Sequence, residues 1–255
     1  MKKNLVKELL HSGKLTLGSW IQIGHPDIAE IMANMGFDWL VLDNEHGPYS
    51  TETTQLLIQA MSSTETVPIV RVPWNDMVEI KRALDIGAYG IVIPWVNSKD
   101  EALYAVGACR YPPAGVRGVG PRRASRYGLD MREYLERANE EILIVVQIET
   151  QQAVDRIEEI LSVEGIDAFF IGPLDLSTSL GYRGQVDHPK VRETLDKLVD
   201  AAKRAGVASG IYAYNLELAK GYIEKGFQFV SLADDTTLLI RGCQEFLDGI
   251  KTSRG

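Results

Sequence analysis

Residues 164–172 read EGIDAFFIG, and this stretch decides the fold. A helical pattern ends at Gly165, where glycine can take the left-handed conformation of a helix C-terminus without a Cβ penalty. The apolar run that follows does not alternate with polar residues, as expected of a strand buried on both faces. The same unit recurs as MGFDWLVLD (35–43), IGAYGIVIP (86–94), AGVASGIY (205–212) and KGFQFVSLA (225–233).

Working outward from these units, strands are expected near 16–23, 39–44, 67–72, 90–94, 142–148, 168–172, 208–212 and 228–232, each followed by an amphipathic helical pattern. HPDIAEIMANMG (25–36) and HPKVRETLDKLVDAAKRAG (188–206) place proline in a first helical turn, where its missing N–H costs nothing. Strict β-α alternation predicts a parallel sheet. Such units, over a chain of 255 residues, fit a single (β/α)8 TIM barrel spanning 1–255, a fold typically of ~250 residues. No G-x-G-x-x-G follows the first strand, so a dinucleotide-binding fold has no support.

Composition agrees with a soluble globular chain: 45% hydrophobic and 24% charged. The net charge of −8 argues against nucleic acid as a partner. No stretch approaches the ~20 apolar residues of a membrane span. The leader MKKNLVKELLHSGK breaks its apolar run at Lys7 and Glu8 and has no secretory core. Cys109 and Cys243 lack metal-ligand spacing and read as reduced packing residues, which points to the cytoplasm.

In a barrel of this kind the chemistry sits at the C-terminal ends of the strands. Strand two ends in Asp43-Asn44-Glu45-His46, strand three in Arg71, strand four in Pro94-Trp95. Strand five carries Gln147 and ends in Glu149, and strand six leads into Gly172-Pro173-Leu174-Asp175. Glu149 and Asp175, from adjacent strands, suit one hard divalent cation, with Mg2+ or Mn2+ favoured and Co2+ or Zn2+ compatible. They also suit rim carboxylates bonded to loop amides. His46 titrates near neutrality and is the candidate general base, the bland alternative being a satisfied rim histidine. His11, His25 and His188 read as structural. Arg71 offers a planar fork to a carboxylate or an enolate oxygen, or serves as partner to the rim acids. Gly172 and Leu174 either donate backbone N–H groups to a substrate carboxylate or close a turn. Asp85 either orients the imidazole or is a solvated helix-end acid.

Two absences narrow the chemistry. Every lysine falls outside the expected strands, so an imine-forming aldolase lacks its buried amine. The strand-end segments YAYN (212–215) and ADDT (233–236) are not glycine-rich phosphate cradles. One long irregular segment, RYPPAGVRGVGPRRASRYG at about 110–129, lies between the fourth and fifth strands. A loop of that length in a compact fold is usually functional or disordered.

With these residues in view, the chain resembles the HpcH/HpaI family of class II, pyruvate-dependent aldolases. The stretches that carry the resemblance are DWLVLDNEHGPYS, VPIVRVPWND, RYPPAGVRGVG, VVQIET, EGIDAFFIGPLDLS and DDTTLL, spread from about residue 18 to 240. The resemblance implies that Glu149 and Asp175 hold the metal and that His46, paired with Asp85, is the acid/base. It implies that Arg71 binds the oxo acid oxygen and the developing enolate. Gln147 and the amides of Gly172 and Leu174 would position pyruvate, and Trp20 and Asp43 would line the site. It further implies a homohexamer with a domain-swapped C-terminal helix, in which Arg117, Arg122 and Arg123 approach a neighbouring subunit's site. Leu174, Trp95 and YAYN depart from the family pattern and bear on acceptor specificity.

The reaction so implied is reversible cleavage of a 4-hydroxy-2-oxo acid to pyruvate and an aldehyde through a metal-stabilised enolate. The alternatives are a CoA-thioester lyase of malyl or citramalyl type, a related enol-pyruvate decarboxylase, and a non-catalytic metabolite-binding barrel.

Overall fold

The computed structural model describes residues 1–252, and its eight parallel strands close into a barrel in chain order. They are β1 Thr16–Ile21, β2 Trp39–Asp43, β3 Val67–Arg71, β4 Gly90–Ile93, β5 Leu143–Gln147, β6 Ala168–Ile171, β7 Ala208–Ala213 and β8 Phe229–Asp234. Each lies within two residues of its expected bounds. The glycines that opened the recurring unit all take positive φ: Gly36 89°, Gly87 108°, Gly165 104°, Gly206 68° and Gly226 104°. They end the helical segments and turn the chain into the next strand.

The other boundary of each unit is set by caps. Asp76, Ser98, Thr150 and Asn215 accept N–H bonds from the first turns of the helices Met77–Asp85, Lys99–Cys109, Gln151–Asp155 and Leu216–Lys225. Such a cap satisfies donors that the helix leaves orphaned and stabilises it by about 1 kcal/mol. His25 and His188 act in the same way, their Nδ1 atoms accepting from Asp27 N (3.3 Å) and Lys190 N (3.2 Å). His11 bonds the buried Asp167 at 2.8 Å. All three are structural, as expected.

The strands bury both faces, which is why their sequences do not alternate. Inside the barrel Trp39 stacks on Phe229 at 4.0 Å and Phe170 meets Phe229 edge-on at 5.8 Å. Outside, a second apolar layer lies between strands and helices and includes Leu40, Leu42, Ile144, Phe169 and Ile211. Among the described residues no helix is long and apolar enough to cross a membrane.

The segment from Arg110 to Asp130 contains turns but no helix or strand. It follows a helix that runs back from the C-terminal to the N-terminal end of the barrel, so it lies at the end opposite the strand C-termini. The last helix, Asp235–Thr252, leaves Leu239, Phe246 and Leu247 exposed.

Gly18 tests the packing of the interior. A Cβ there would lie 2.0–2.4 Å from the Trp39 indole. That ring has no room to retreat, being stacked on Phe229 and bonded through Nε1 to Thr16 Oγ1 at 3.2 Å. Gly18→Ala should therefore lower unfolding stability by about 1–3 kcal/mol, read as a lower urea midpoint at unchanged slope.

Candidate active site

Asp43 and Arg71 end adjacent strands in direct register, β2 against β3. That register brings a bidentate pair together: Arg71 Nε donates to Asp43 Oδ1 at 2.8 Å and Nη2 to Oδ2 at 2.7 Å. Arg71 Nη1 forms an ion pair with Glu45 Oε2 at 3.0 Å. Below it lies Trp20, with the guanidinium carbon 4.5 Å from the ring centroid. Burial works against the Asp43 charge, but the Arg71 hydrogen bonds and charge prevail and hold its carboxyl below the usual range. Asp43 also orders the turn that follows β2, since Oδ1 accepts from Glu45 N (3.1 Å) and His46 N (3.2 Å). His46 is exposed on that turn at the C-terminal end of the barrel.

Arg71 thus has the rim acids as partners. It remains beside the site as its fixed positive charge. Glu45 belongs with it, although only its place in the tetrapeptide Asp43-Asn44-Glu45-His46 signalled this. Burial raises the Glu45 carboxyl, Arg71 opposes that, and the charges of Asp43 and Asp175 add to the rise.

Glu149 follows β5 and is buried. Its Oε1 accepts from Trp95 N at 3.0 Å, and Gln147 Nε2 donates to Oε2. Asp175 sits in the first turn of the helix Pro173–Ser179, exposed to the mouth. Gly172 brings these groups together: a Cβ there would meet Asp175 Oδ2 at 3.2 Å, Gln147 Nε2 at 3.5 Å and Glu149 Oε2 at 3.6 Å. Glycine at 172 therefore leaves open a small space walled by both carboxylates. Burial, with the nearby charges of Glu45 and Asp175, pushes the Glu149 carboxyl up to about 7, against the Trp95 and Gln147 hydrogen bonds.

These residues fit a divalent ion. The two carboxylates face one gap, and two buried polar atoms of the mouth, Gln147 Oε1 and Trp20 Nε1, have no hydrogen-bond partner. Buried polar atoms are rarely left so except where a ligand or water completes them. Among the described residues no cluster of three or more His, Cys, Asp or Glu could hold a metal. A two-carboxylate site that leaves most positions to water and substrate is the pattern Mg2+ prefers.

The Leu174 side chain is exposed beside Asp175, and its backbone lies against the Tyr214 phenol. Tyr214 belongs to the YAYN segment at the end of β7, which the sequence already set beside the acceptor. Burial and the Asp175 charge raise its phenol well above the ordinary value.

Asp85 is the exception among the expected residues. It ends the helix Met77–Asp85 at the N-terminal end of the barrel, whereas His46 stands at the C-terminal end. Within one chain the two do not pair. Asp85 Oδ1 instead accepts from Arg117 Nη2 at 2.7 Å. Arg117 is fully buried, its guanidinium 4.5 Å from the Tyr111 ring. Among the described residues no lysine enters the site. Lys7, the nearly buried one, is held at the N-terminal end by Asp167 (3.2 Å) and the Ile142 carbonyl (2.8 Å).

The chain is similar to known proteins in both sequence and fold. The sequence profile described as HpcH/HpaI aldolase/citrate lyase matches residues 16–242. A 4-hydroxy-2-oxo-heptane-1,7-dioate aldolase of Salmonella dublin is 44% identical over 244 residues, covering 95% of this chain and 92% of its own. An HpcH/HpaI aldolase/citrate lyase family protein from Burkholderia cenocepacia J2315 superposes with a TM-score of 0.94 at 34% identity, over 98% of this chain and 100% of that one. An HpcH/HpaI aldolase from Desulfitobacterium hafniense DCB-2 gives 0.89 at 35%, over 96% of each.

An ion held by Glu149 would need its carboxylate form, and the raised value sets the pH window. Below about 7 the metal-free protein holds a proton there. Affinity for Mn2+ should therefore level off above pH 7 and fall as the pH drops through it, roughly tenfold per unit, with a proton released on binding. Calorimetric titrations at pH 6 and pH 8 in buffers of different ionisation enthalpy read both quantities. Equal affinities with no proton release would contradict the assignment.

Proposed function

The chain belongs to the HpcH/HpaI aldolase/citrate lyase family, and from that premise we propose that it reversibly cleaves a 4-hydroxy-2-oxo acid into pyruvate and an aldehyde. It is a carbon–carbon lyase, an aldolase of the class II, metal-dependent kind. The observation that carries the reading is the convergence of Glu149, Asp175 and Gln147 on the gap above Gly172, with the buried Arg71 cluster in the same mouth.

Glu149 and Asp175 would hold the ion, and their oxygen donors favour Mg2+ or Mn2+ over Co2+ or Zn2+. When bound, the ion supplies Lewis-acid polarisation of the 2-oxo group. The Gly172 and Leu174 amides and Gln147 would seat the substrate carboxylate, with Trp20 and Asp43 lining the floor. Arg71, fixed by Asp43 and Glu45, needs no reorganisation to stabilise negative charge that develops on the oxo oxygen. His46 would take the proton of the C4 hydroxyl. The C3–C4 bond then breaks, C4 leaves as the aldehyde, and the electron pair stays with the oxo acid fragment, which takes up a proton at C3.

Asp85 can meet a His46 only on another copy of the chain, because the two stand at opposite barrel ends. A homo-oligomer would join them, and a hexamer that exchanges the helix Asp235–Thr252 would also cover Leu239, Phe246 and Leu247. The same packing would bring the loop of Arg122 and Arg123 toward a neighbour's mouth. Two free cysteines, one buried and one exposed, support work in the reducing cytoplasm.

His46→Ala should retain Mn2+ binding and lose about 10²–10⁴-fold in kcat/KM for cleavage; wild-type rates would remove His46 from the mechanism. Deuterium exchange of the pyruvate methyl in D2O should depend on added metal and stop with EDTA, whereas no exchange with any ion would favour a binding protein. Co-assembling His46→Ala chains with Asp85→Ala chains should restore part of the activity that each lacks. Hybrids as inactive as their parents would argue that Asp85 does not serve a neighbour's site.

A further inference from the structure

We infer that Trp74 and Trp95 form an acceptor subsite that takes a flat apolar or aromatic group carried by the aldehyde carbon. The inference rests on the aldol reading above. The two indoles are 55% and 47% exposed, on the loops that directly follow β3 and β4. Their ring centroids lie 6.3 Å apart with planes at 32°, so two large apolar faces form one wall. Indoles are usually highly buried, and two of them exposed together at the C-terminal mouth of a barrel mark a place where something binds.

Trp95 is held there at a cost. Its φ is 56°, in the left-handed region that bulky residues avoid. Such conformations persist only where the surroundings over-determine them, and they cluster at functional sites. Here the backbone is pinned on both sides: its N–H donates to Glu149 Oε1 at 3.0 Å and its carbonyl accepts from Asn97 Nδ2 at 2.8 Å. The residue that carries one indole is thus tied by its main chain to a candidate metal ligand.

The direction of the substrate points to the same wall. The oxo acid end is assigned to the β5–β6 side, at Gln147, Gly172 and Leu174. The C4 hydroxyl is assigned to His46 in the β2 loop. A substrate seated by both ends its C4 substituent over the β2–β4 side, where Trp74 and Trp95 stand. The nearby cation, Arg71, is engaged by Asp43 and Glu45. Indole faces bind other aromatic rings in offset or tilted arrangements. The fitting acceptor is therefore an aryl aldehyde or one of similar flat apolar shape.

The test measures kcat/KM for addition of pyruvate to benzaldehyde and to glycolaldehyde by the Mg2+-loaded enzyme. The ratio is the readout, because a disturbance of Glu149 lowers both rates alike. Trp74→Ala and Trp95→Leu should each lower the benzaldehyde-to-glycolaldehyde ratio about tenfold, and Trp74→Phe should keep most of it. An unchanged ratio in both variants overturns the subsite. So does a change of oligomeric state by light scattering without a change of ratio, which would make the indoles a contact between copies. Failure of the underlying reaction is distinguishable, since wild-type protein would then show no metal-dependent exchange of the pyruvate methyl.

Discussion

The mouth of this barrel depends on one buried charge. Arg71 ends β3 with its side chain in a low-dielectric setting that would reject a lone cation. Asp43, opposite it in the register of β2 and β3, answers with a bidentate pair, and Glu45 adds a second carboxylate. Breaking such a pair from one side typically costs about 3–5 kcal/mol. The same Asp43 oxygen holds the amides of Glu45 and His46, so the turn that presents the histidine is built on the ion pair. Trp20, under the guanidinium, transmits that order to the aromatic interior through Phe170 at 5.3 Å.

Negative charge on the other side of the mouth is arranged differently. Glu149 is buried without a cation of its own, held by one main-chain N–H and one side-chain amide. Its raised carboxyl reflects this, since two neutral donors do not offset burial beside Glu45 and Asp175. A divalent ion would reverse the balance by placing a larger positive charge against both carboxylates. The unpartnered Gln147 oxygen and the missing Cβ at Gly172 belong to the same picture: a space whose polar walls are complete only when occupied. The barrel's N-terminal end shows the opposite habit. There Lys7 and His11 both engage Asp167, and Arg117 Nη2 engages Asp85, so each carboxylate has a cation of its own within the chain.

Much of this was legible in the sequence because it is local. A glycine at a helix end, a run of non-alternating apolar residues and a capping residue before the next helix each act over a few positions. The full unit marks five of the eight strands, and apolar runs between helical patterns mark the other three. The mouth residues could be read for a related reason: in parallel strands, whatever follows each apolar run must arrive at the same end. Glu149, Asp175, Gln147, Arg71 and Asp43 converge on that account. The resemblance of QIET and GPLDL to a known family added the metal role, which spacing left open.

Other features were settled only by the closed barrel. Sequence left open whether Arg71 has acid partners on the rim, and the β2–β3 register supplies them. Glu45 joined the cluster because the turn after β2 folds back over Arg71. The indoles of Trp74 and Trp95, 21 positions apart, met because their strands are neighbours in the sheet. Asp85 went the other way. Helices in this fold run antiparallel to the strands, so a residue at a helix end lies a barrel's length from a residue at a strand end, however close the two are in sequence. Local physics wrote the elements and the end at which each side chain emerges. Which of those side chains touch was decided by register and closure, and these depend on residues far apart in the chain.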